Sequence, residues 1–212
     1  MWFKSKILGA VVGAGLVSLA IAGPASASII ATLNGVTNAG GGVFDYTYRA
    51  TLAADEQIVP GSFLTLYDFG QVVGSLPLLT TGFMGTANFT YSQALTGPTS
   101  PLVNATDSPT VLNVTATYNG AAGNPLTGAA LNNGADGNLG TFTLGSTNGT
   151  PRTGNQSSSG QKFGDGETGQ PDANVTAAQV PGTATAVPEP ASLALLGTVL
   201  AGAGLLRRRK RG

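Results

Sequence analysis

The side chains of this 212-residue sequence that could perform chemistry are mainly carboxylates. Asp55 and Glu56 are adjacent, and Asp45 and Asp68 lie in segments rich in apolar residues. A glycan hydrolase needs two carboxylates about 5–10 Å apart in a cleft. Three tyrosines could form aromatic walls that stack on sugar rings: Tyr46, Tyr48 and Tyr67. These tyrosines fit an ordinary hydrophobic core better, so a carboxylate-based glycan hydrolase is the least favoured of the three functions considered below.

The sequence contains neither histidine nor cysteine. A histidine-based triad, a thiol nucleophile and a His/Cys zinc site are therefore excluded. Outside the two terminal segments, Lys162 is the one lysine, and it lies in a glycine-rich tract. We therefore expect no enzymatic activity and no cofactor. The lack of cysteine also means that an exported fold must rest on its own core, because no disulfide can support it.

Calcium is the metal that the remaining oxygen ligands could bind. Asp165, Glu167 and Asp172 offer carboxylates on a glycine-rich loop. A second set of oxygen ligands comprises Asn133, Asp136 and Asn138. Neither set has the ordered spacing of an EF-hand or of a nonapeptide calcium repeat. We favour solvated turns for both, and the first set stays a weak calcium candidate.

The C-terminus combines three features in order. The sextet comes first: Val187, Pro188, Glu189, Pro190, Ala191 and Ser192. The apolar run from Ala191 to Leu206 has 16 residues, or about 24 Å of helix, against a hydrocarbon core of about 30 Å. Five cations end the run: Arg207, Arg208, Arg209, Lys210 and Arg211. Cations beside a span stay in the cytoplasm, so the chain that precedes this single-span helix is expected outside.

The N-terminus has the layout of a secretory signal peptide. Lys4 and Lys6 precede an apolar stretch that starts at Ile7, and a proline follows that stretch. The small residues Ala25 and Ala27 then form an A-x-A site, which predicts cleavage by signal peptidase before Ser28.

The C-terminal constellation resembles the PEP-CTERM sorting signal of Gram-negative bacteria. The resemblance rests on the Pro188-Glu189-Pro190 tripeptide, the Leu/Ala/Gly-rich run and the basic end, which together cover about the last 26 residues. It implies recognition by an exosortase, a membrane-embedded cysteine transpeptidase or protease that cleaves near the tripeptide. It further implies an inner-membrane-anchored precursor and delivery to the cell surface or extracellular matrix, often alongside exopolysaccharide.

The exported body is acidic although the whole chain has no formal net charge. Between the terminal segments the cations are Arg49, Arg152 and Lys162, against nine acidic residues. Such a body cannot neutralise a row of phosphates, so we expect no nucleic-acid partner. The expected partners are the exosortase, signal peptidase, the membrane before processing, and extracellular polysaccharide.

The segments between the ends have the pattern of β-strands. The stretch "VFDYTYRATL" (43–52) alternates with period 2, and "SFLTLYDF" (62–69) is apolar on both faces, as in a central strand. "VLNVTATY" (111–118) also alternates, and shorter strands are predicted at 29–33, 87–91 and 139–144. Frequent Gly, Pro and Asn breaks between them predict an all-β fold, an antiparallel β-sandwich or jelly roll.

Composition changes after residue 146. Residues 147–186 contain only three large apolar side chains, Phe163, Val175 and Val180, which predicts a flexible spacer. The predicted organisation is a signal peptide (1–27), a β-sandwich domain (28–146), this spacer (147–186) and a sorting segment (187–212). The favoured function is a non-enzymatic protein of the cell envelope or extracellular matrix. A carbohydrate-binding module is the alternative, and aromatic side chains on an exposed sheet face would favour it.

Overall fold

The computed structural model describes residues 29–131, 136–164 and 166–182. The predicted signal peptide and its cleavage site, Ser28 and the sorting segment 187–212 lie outside the described residues. The strands are β1 (Ile29–Gly40), β2 (Val43–Leu52), β3 (Glu56–Ile58), β4 (Phe63–Leu66), β5 (Leu79–Thr80), β6 (Phe89–Ala94), β7 (Asn113–Tyr118), β8 (Leu126–Thr127), β9 (Gly137–Ser146), β10 (Pro151–Lys162) and β11 (Pro171–Pro181). A 3₁₀ turn spans Gly82–Met84, and one helical turn, α1, spans Gly128–Leu131.

Two antiparallel sheets share one hydrophobic core. The first sheet has the strand order β1-β2-β9-β5, and the second has the order β6-β7-β4-β10-β3-β8. β11 pairs with β10 along the edge that β3 and β4 leave free. Tyr91 of the second sheet packs on Phe142 of the first, with ring centroids 6.0 Å apart. The prediction of an all-β antiparallel fold is confirmed, and the two-sheet arrangement is compatible with a sandwich.

The alternation of β2 builds the centre of the core. Tyr46, Tyr48, Ala50 and Leu52 are each 0% exposed, while Arg49, from the opposite face, is exposed. Period-2 alternation places all apolar residues of a strand on one side of the sheet, which explains why this stretch was predictable. The β1–β2 turn uses three glycines with positive φ, at residues 40 to 42, a backbone region that is costly for other residues.

β4 is a central strand, as the sequence predicts, between β7 and β10. Leu64 and Leu66 enter the shared core, and Thr65 is buried on the other face of the sheet. Thr65 is hydrogen-bonded to Thr115 across the strands at 3.0 Å, and its hydroxyl donates to the carbonyl of Pro98. The segment around Pro98 therefore covers the outer face of the second sheet.

The prediction of a flexible spacer over 147–186 is wrong for most of that range. Residues 151–162 and 171–181 form the antiparallel hairpin β10–β11, and β10 also pairs with β4 and β3. The domain therefore extends to Pro181 rather than ending at Ser146. Val180 is 0% exposed and belongs to the same core as the tyrosines of β2.

The composition did not predict this hairpin because the buried side chains of β10 are polar. Gln156, Ser157 and Ser158 are buried at the centre of the second sheet. Ala31 donates its N–H to Gln156 Oε1 at 2.8 Å, and Gln156 Nε2 donates to the Ala31 carbonyl at 3.1 Å. Ser158 Oγ accepts the N–H of Ile29. Buried polar groups that find hydrogen-bond partners cost little, so β10 does not need apolar residues to be part of the fold.

Candidate functional site

The main cluster of charged side chains lies where three strands of the second sheet meet. Glu56 begins β3, Lys162 ends β10, and Asp172 is the second residue of β11. Lys162 is the direct cross-strand partner of Glu56, and Asp172 is opposite Gly160, two residues along β10. Side chains two residues apart on a strand share a face, so all three groups project from the same side of the sheet.

The distances in this cluster join one amine to two carboxylates. Lys162 Nζ lies 2.8 Å from Glu56 Oε1 and 3.0 Å from Asp172 Oδ2. The more distant Asp55 Oδ2 lies 3.7 Å away, on a side chain that is 57% exposed. The Glu56 side chain is fully buried, whereas those of Lys162 and Asp172 are 25% and 21% exposed. The cluster thus has an enclosed end at Glu56 and a partly open end at Asp172.

The protonation states follow from this enclosure. Burial raises the pKa of Glu56 to about 8, and the hydrogen bond with Asp172 adds to the rise, although Lys162 opposes it. The pKa of Asp172 is lowered, because hydrogen bonds with Glu56 and Lys162 outweigh the effect of its burial. The pKa of Lys162 is raised, first by its hydrogen bond with Glu56. At neutral pH, Glu56 is therefore a neutral acid beside an ammonium–carboxylate pair.

The carboxylates considered for a glycan hydrolase do not come together. Asp45 lies in β2, in the first sheet, whereas Glu56 lies in the second. Asp68 follows β4, where its Oδ1 accepts the N–H of Ser108 and its carbonyl accepts a hydrogen bond from Arg152. Glu56 instead meets Asp172, a pairing that the sequence analysis missed. A signal for it was present, because Lys162 is the one lysine of the body and needs an acidic partner if it is enclosed.

The weak calcium candidates divide between three environments. Asp165 lies outside the described residues, Glu167 is exposed in the β10–β11 loop, and Asp172 is engaged by Lys162. In the second set, Asp136 accepts the N–H of Ala54 and Asn138 accepts that of Gly140, while Asn133 lies outside the described residues. The part of the chain that the structure describes holds no group of three or more His, Cys, Asp or Glu side chains able to bind a metal.

Most of the aromatic side chains that the structure describes are in the core. Tyr46, Tyr48 and Tyr67 are each 0% exposed, and Phe69, Phe89, Tyr118 and Phe142 are similarly buried. Tyr48 donates its hydroxyl to the carbonyl of Gln179 in β11, so its polar end is also occupied. Among the described aromatic residues, Phe83 and Phe163 are the exposed ones, at 36% and 38%. No row of aromatic rings lies on an open face of either sheet within residues 29–131, 136–164 and 166–182.

A cleft of about 340 Å³ opens at the end of the fold where the described chain stops. Its lining includes Asp68, Phe69, Ser146, Asn148 and Gly182. Asn148 Nδ2 donates to the carbonyl of Gly182, which fixes the chain just beyond β11. The one aromatic residue in the lining, Phe69, is only 2% exposed, so the cleft presents no ring for stacking on a sugar.

The described residues define an antiparallel all-β protein with the charged cluster at one sheet and Gly182, the last described residue, beside this cleft. Residues 186–210 match the family described as the PEP-CTERM protein-sorting motif. The chain therefore carries a PEP-CTERM sorting signal, as its resemblance indicates, and is an exported protein that an exosortase sorts from a membrane-anchored precursor. The match does not extend over the folded body.

Neither a curated protein nor a solved structure matches this chain. Within the residues that the structure describes, no helix is long and apolar enough to cross a membrane. The predicted span, Ala191 to Leu206, lies outside those residues, as do the sextet and the five cations around it.

Proposed function

We propose that the folded body is a non-enzymatic component of the cell envelope or extracellular matrix, delivered there by its sorting signal. The observation that supports this proposal is the burial of the aromatic side chains. Tyr46, Tyr48 and Tyr67 are fully buried, and the hydroxyls of Tyr48 and Tyr67 make hydrogen bonds inside the fold. These rings therefore form neither the walls of a catalytic cleft nor a platform for sugars. The body then contributes a stable folded mass rather than an active site for a substrate.

The charged cluster supports the same proposal. In a glycosidase the acid and the second carboxylate flank an open space that holds the scissile bond. Here Lys162 Nζ occupies the space between Glu56 and Asp172, within 3.0 Å of both. Glu56 is also fully buried, so a polysaccharide cannot reach it without unfolding β3. The cluster joins strands and leaves no room for a glycan.

Association with exopolysaccharide is the part of the proposal that concerns a partner. The body is acidic, so retention by a neutral or cationic polysaccharide is electrostatically allowed, whereas an anionic polymer would repel it. Without a row of exposed aromatic rings in the described residues, contact with sugar would be broad and weak, as expected of a matrix component. A carbohydrate-binding module would hold one sugar sequence tightly.

The experiment is to fractionate the cultured source cells and to assay the processed protein, purified from them, for glycan binding. We expect the protein in the surface or matrix fraction, no hydrolysis of the cell's own polysaccharide, and no saturable binding to short oligosaccharides. Saturable micromolar binding to a defined oligosaccharide would favour the carbohydrate-binding module. Release of reducing ends that disappears in Glu56→Gln would establish the hydrolase and reject the proposal.

A further inference from the structure

An amine faces two carboxyl groups in a fold that has no cysteine to form a disulfide. We propose that Lys162 and Asp172 join in an intramolecular amide bond, from Lys162 Nζ to Asp172 Cγ, with Glu56 transferring the proton. The bond is a covalent modification site on the folded body, and the proposal is independent of the function proposed above.

The strands hold the reacting groups in place. Lys162 Nζ lies 3.0 Å from Asp172 Oδ2, and Cγ is one bond of about 1.2 Å from that oxygen, so the attack on Cγ needs only a small movement. Lys162 also lies directly opposite Glu56, in register across β10 and β3. Positioning of this kind gives effective concentrations of about 10⁵–10⁸ M, which favours condensation even in water.

The two carboxyl groups have different roles because their surroundings differ. Glu56 is enclosed and uncharged at neutral pH, so it can give its proton to one atom and take up a proton from another. Asp172 is partly open to solvent, so the water that leaves its Cγ can escape. Asp172 is therefore the electrophile and Glu56 the proton carrier.

The reaction balances without any other reactant. The Lys162 ammonium transfers a proton to the Asp172 carboxylate, 3.0 Å away, and the neutral amine then attacks Asp172 Cγ. A C–N bond forms, and Glu56 passes a proton from the nitrogen to the departing oxygen of Asp172. The C–O bond breaks and one water molecule leaves. An ammonium and a carboxylate thus become one neutral amide and water, and nothing is oxidised or reduced. An enclosed site favours this loss of two charges.

The bond would close the β10–β11 hairpin at its loop end. The intervening loop includes Gly164, Gly166 and Gly169, each with positive φ and each able to sample many conformations when unfolded. A covalent closure removes much of that freedom from the unfolded chain, as a disulfide does. The exported body would thereby gain the stabilisation that its lack of cysteine denies it.

Mass spectrometry of the purified full chain tests the bond directly. We expect an intact mass about 18 Da below the mass calculated from the sequence between the observed first and last residues, because one water is lost. We also expect trypsin to leave Lys162 uncut, because an amidated lysine is not a substrate, so the peptide 153–162 should be missing. Tandem spectra should show Lys162 linked to Asp172. An unchanged mass together with a released 153–162 peptide would overturn the proposal, as would a link to Glu56.

Three variants make the test specific. Lys162→Arg keeps the positive charge and should restore the full mass. A loss of water that persists in this variant would point to succinimide formation at Asp136-Gly137 or Asp165-Gly166 and would reject the amide. Asp172→Asn should lose ammonia, about 17 Da, through the same bond.

Glu56→Gln should fold and yet form the bond at least tenfold more slowly. Equal rates in Glu56→Gln and in the natural chain would remove Glu56 from the proposed mechanism. If Lys162→Arg does not fold, the tryptic map of the natural chain decides the question by itself, because it distinguishes a linked Lys162 from a free one.

Discussion

Replacing Gln156 by leucine tests whether polar side chains of β10 hold the two sheets together. Gln156 is 1% exposed, and its side-chain amide makes both of its hydrogen bonds to one residue of the other sheet, the N–H and carbonyl of Ala31. Ala31 belongs to β1, which is the outer strand of the first sheet. The amide therefore acts as the neighbour that this edge of the sheet otherwise lacks.

The magnitude follows from the two backbone groups that leucine would leave without partners. A buried donor or acceptor that loses its partner costs about 1–3 kcal/mol, so the pair costs about 2–6 kcal/mol. Leucine has a similar volume and adds apolar surface, which returns about 1 kcal/mol. The expected net loss of about 1–5 kcal/mol is a large part of the total stability of an ordinary domain, about 5–15 kcal/mol.

The assay is equilibrium unfolding in urea, followed by tyrosine fluorescence. We expect the midpoint for Gln156→Leu to fall by about 0.5–2.5 M, for a slope near 2 kcal/mol per M. The matched control is Gln170→Leu, at an exposed position in the β10–β11 loop, which should leave the midpoint nearly unchanged. Equal midpoints for the two variants would refute the view that the Gln156 amide supports the edge of β1.

Three further outcomes can be measured on the same protein. Because burial raises the pKa of Glu56 to about 8, folding takes up a proton, and stability should fall by up to about 1.4 kcal/mol per pH unit from about pH 5 to 8. Calorimetry at stepped pH should show this fall, and Glu56→Gln should flatten it. A chain truncated after Ser146 should give no cooperative thermal transition, unlike one ending at Gly182, because it lacks β10 and β11. Intact mass of surface material should show a mature form that begins at Ser28 and lacks the five terminal cations.

Each of these outcomes has a contrary result. The pH window belongs to Glu56, because in the unlinked chain Asp172, with its lowered pKa, titrates below the window and Lys162, with its raised pKa, titrates above it. In the amide-linked chain neither of these two groups titrates, and the burial that raises the pKa of Glu56 remains. A profile that stays equally steep in Glu56→Gln would assign the proton to another group. A cooperative transition in the chain truncated after Ser146 would restore the spacer hypothesis. An intact basic end on surface material would argue against exosortase processing.

Strands rich in large apolar residues were predictable, and β10 was not. β2 and β7 alternate because their aromatic and branched side chains must face one core, and the pattern is local to each strand. In β10 the buried residues are Gln156, Ser157 and Ser158, whose burial depends on partners in β1 and after β4. Ser157 is hydrogen-bonded to Tyr67, 90 residues earlier in the chain. No local pattern encodes such partners, so composition alone indicated a spacer.

The charged cluster could not be predicted from the sequence either, because it too depends on partners that are distant in the chain. Asp172 and Lys162 are close in sequence, but Glu56 reaches them only because β3 pairs with the end of β10. The sequence identified Asp55 and Glu56 as adjacent acids, and it could not distinguish the exposed one from the buried one. β3 has only three residues, which is too short for a pattern of polar and apolar residues to show which side chains are buried. All three of its residues are in fact buried.

The revised end of the fold changes how the sorting signal is presented. β11 ends at Pro181, and the sorting motif begins at residue 186, so four residues connect them. Even fully extended, the chain from Gly182 to Pro188 spans only about 21 Å. An exosortase that cleaves near the tripeptide must therefore work within that distance of the folded body. Gly182 is held by Asn148 and lies in the lining of the cleft, so the connection to the sorting motif starts at this end of the fold.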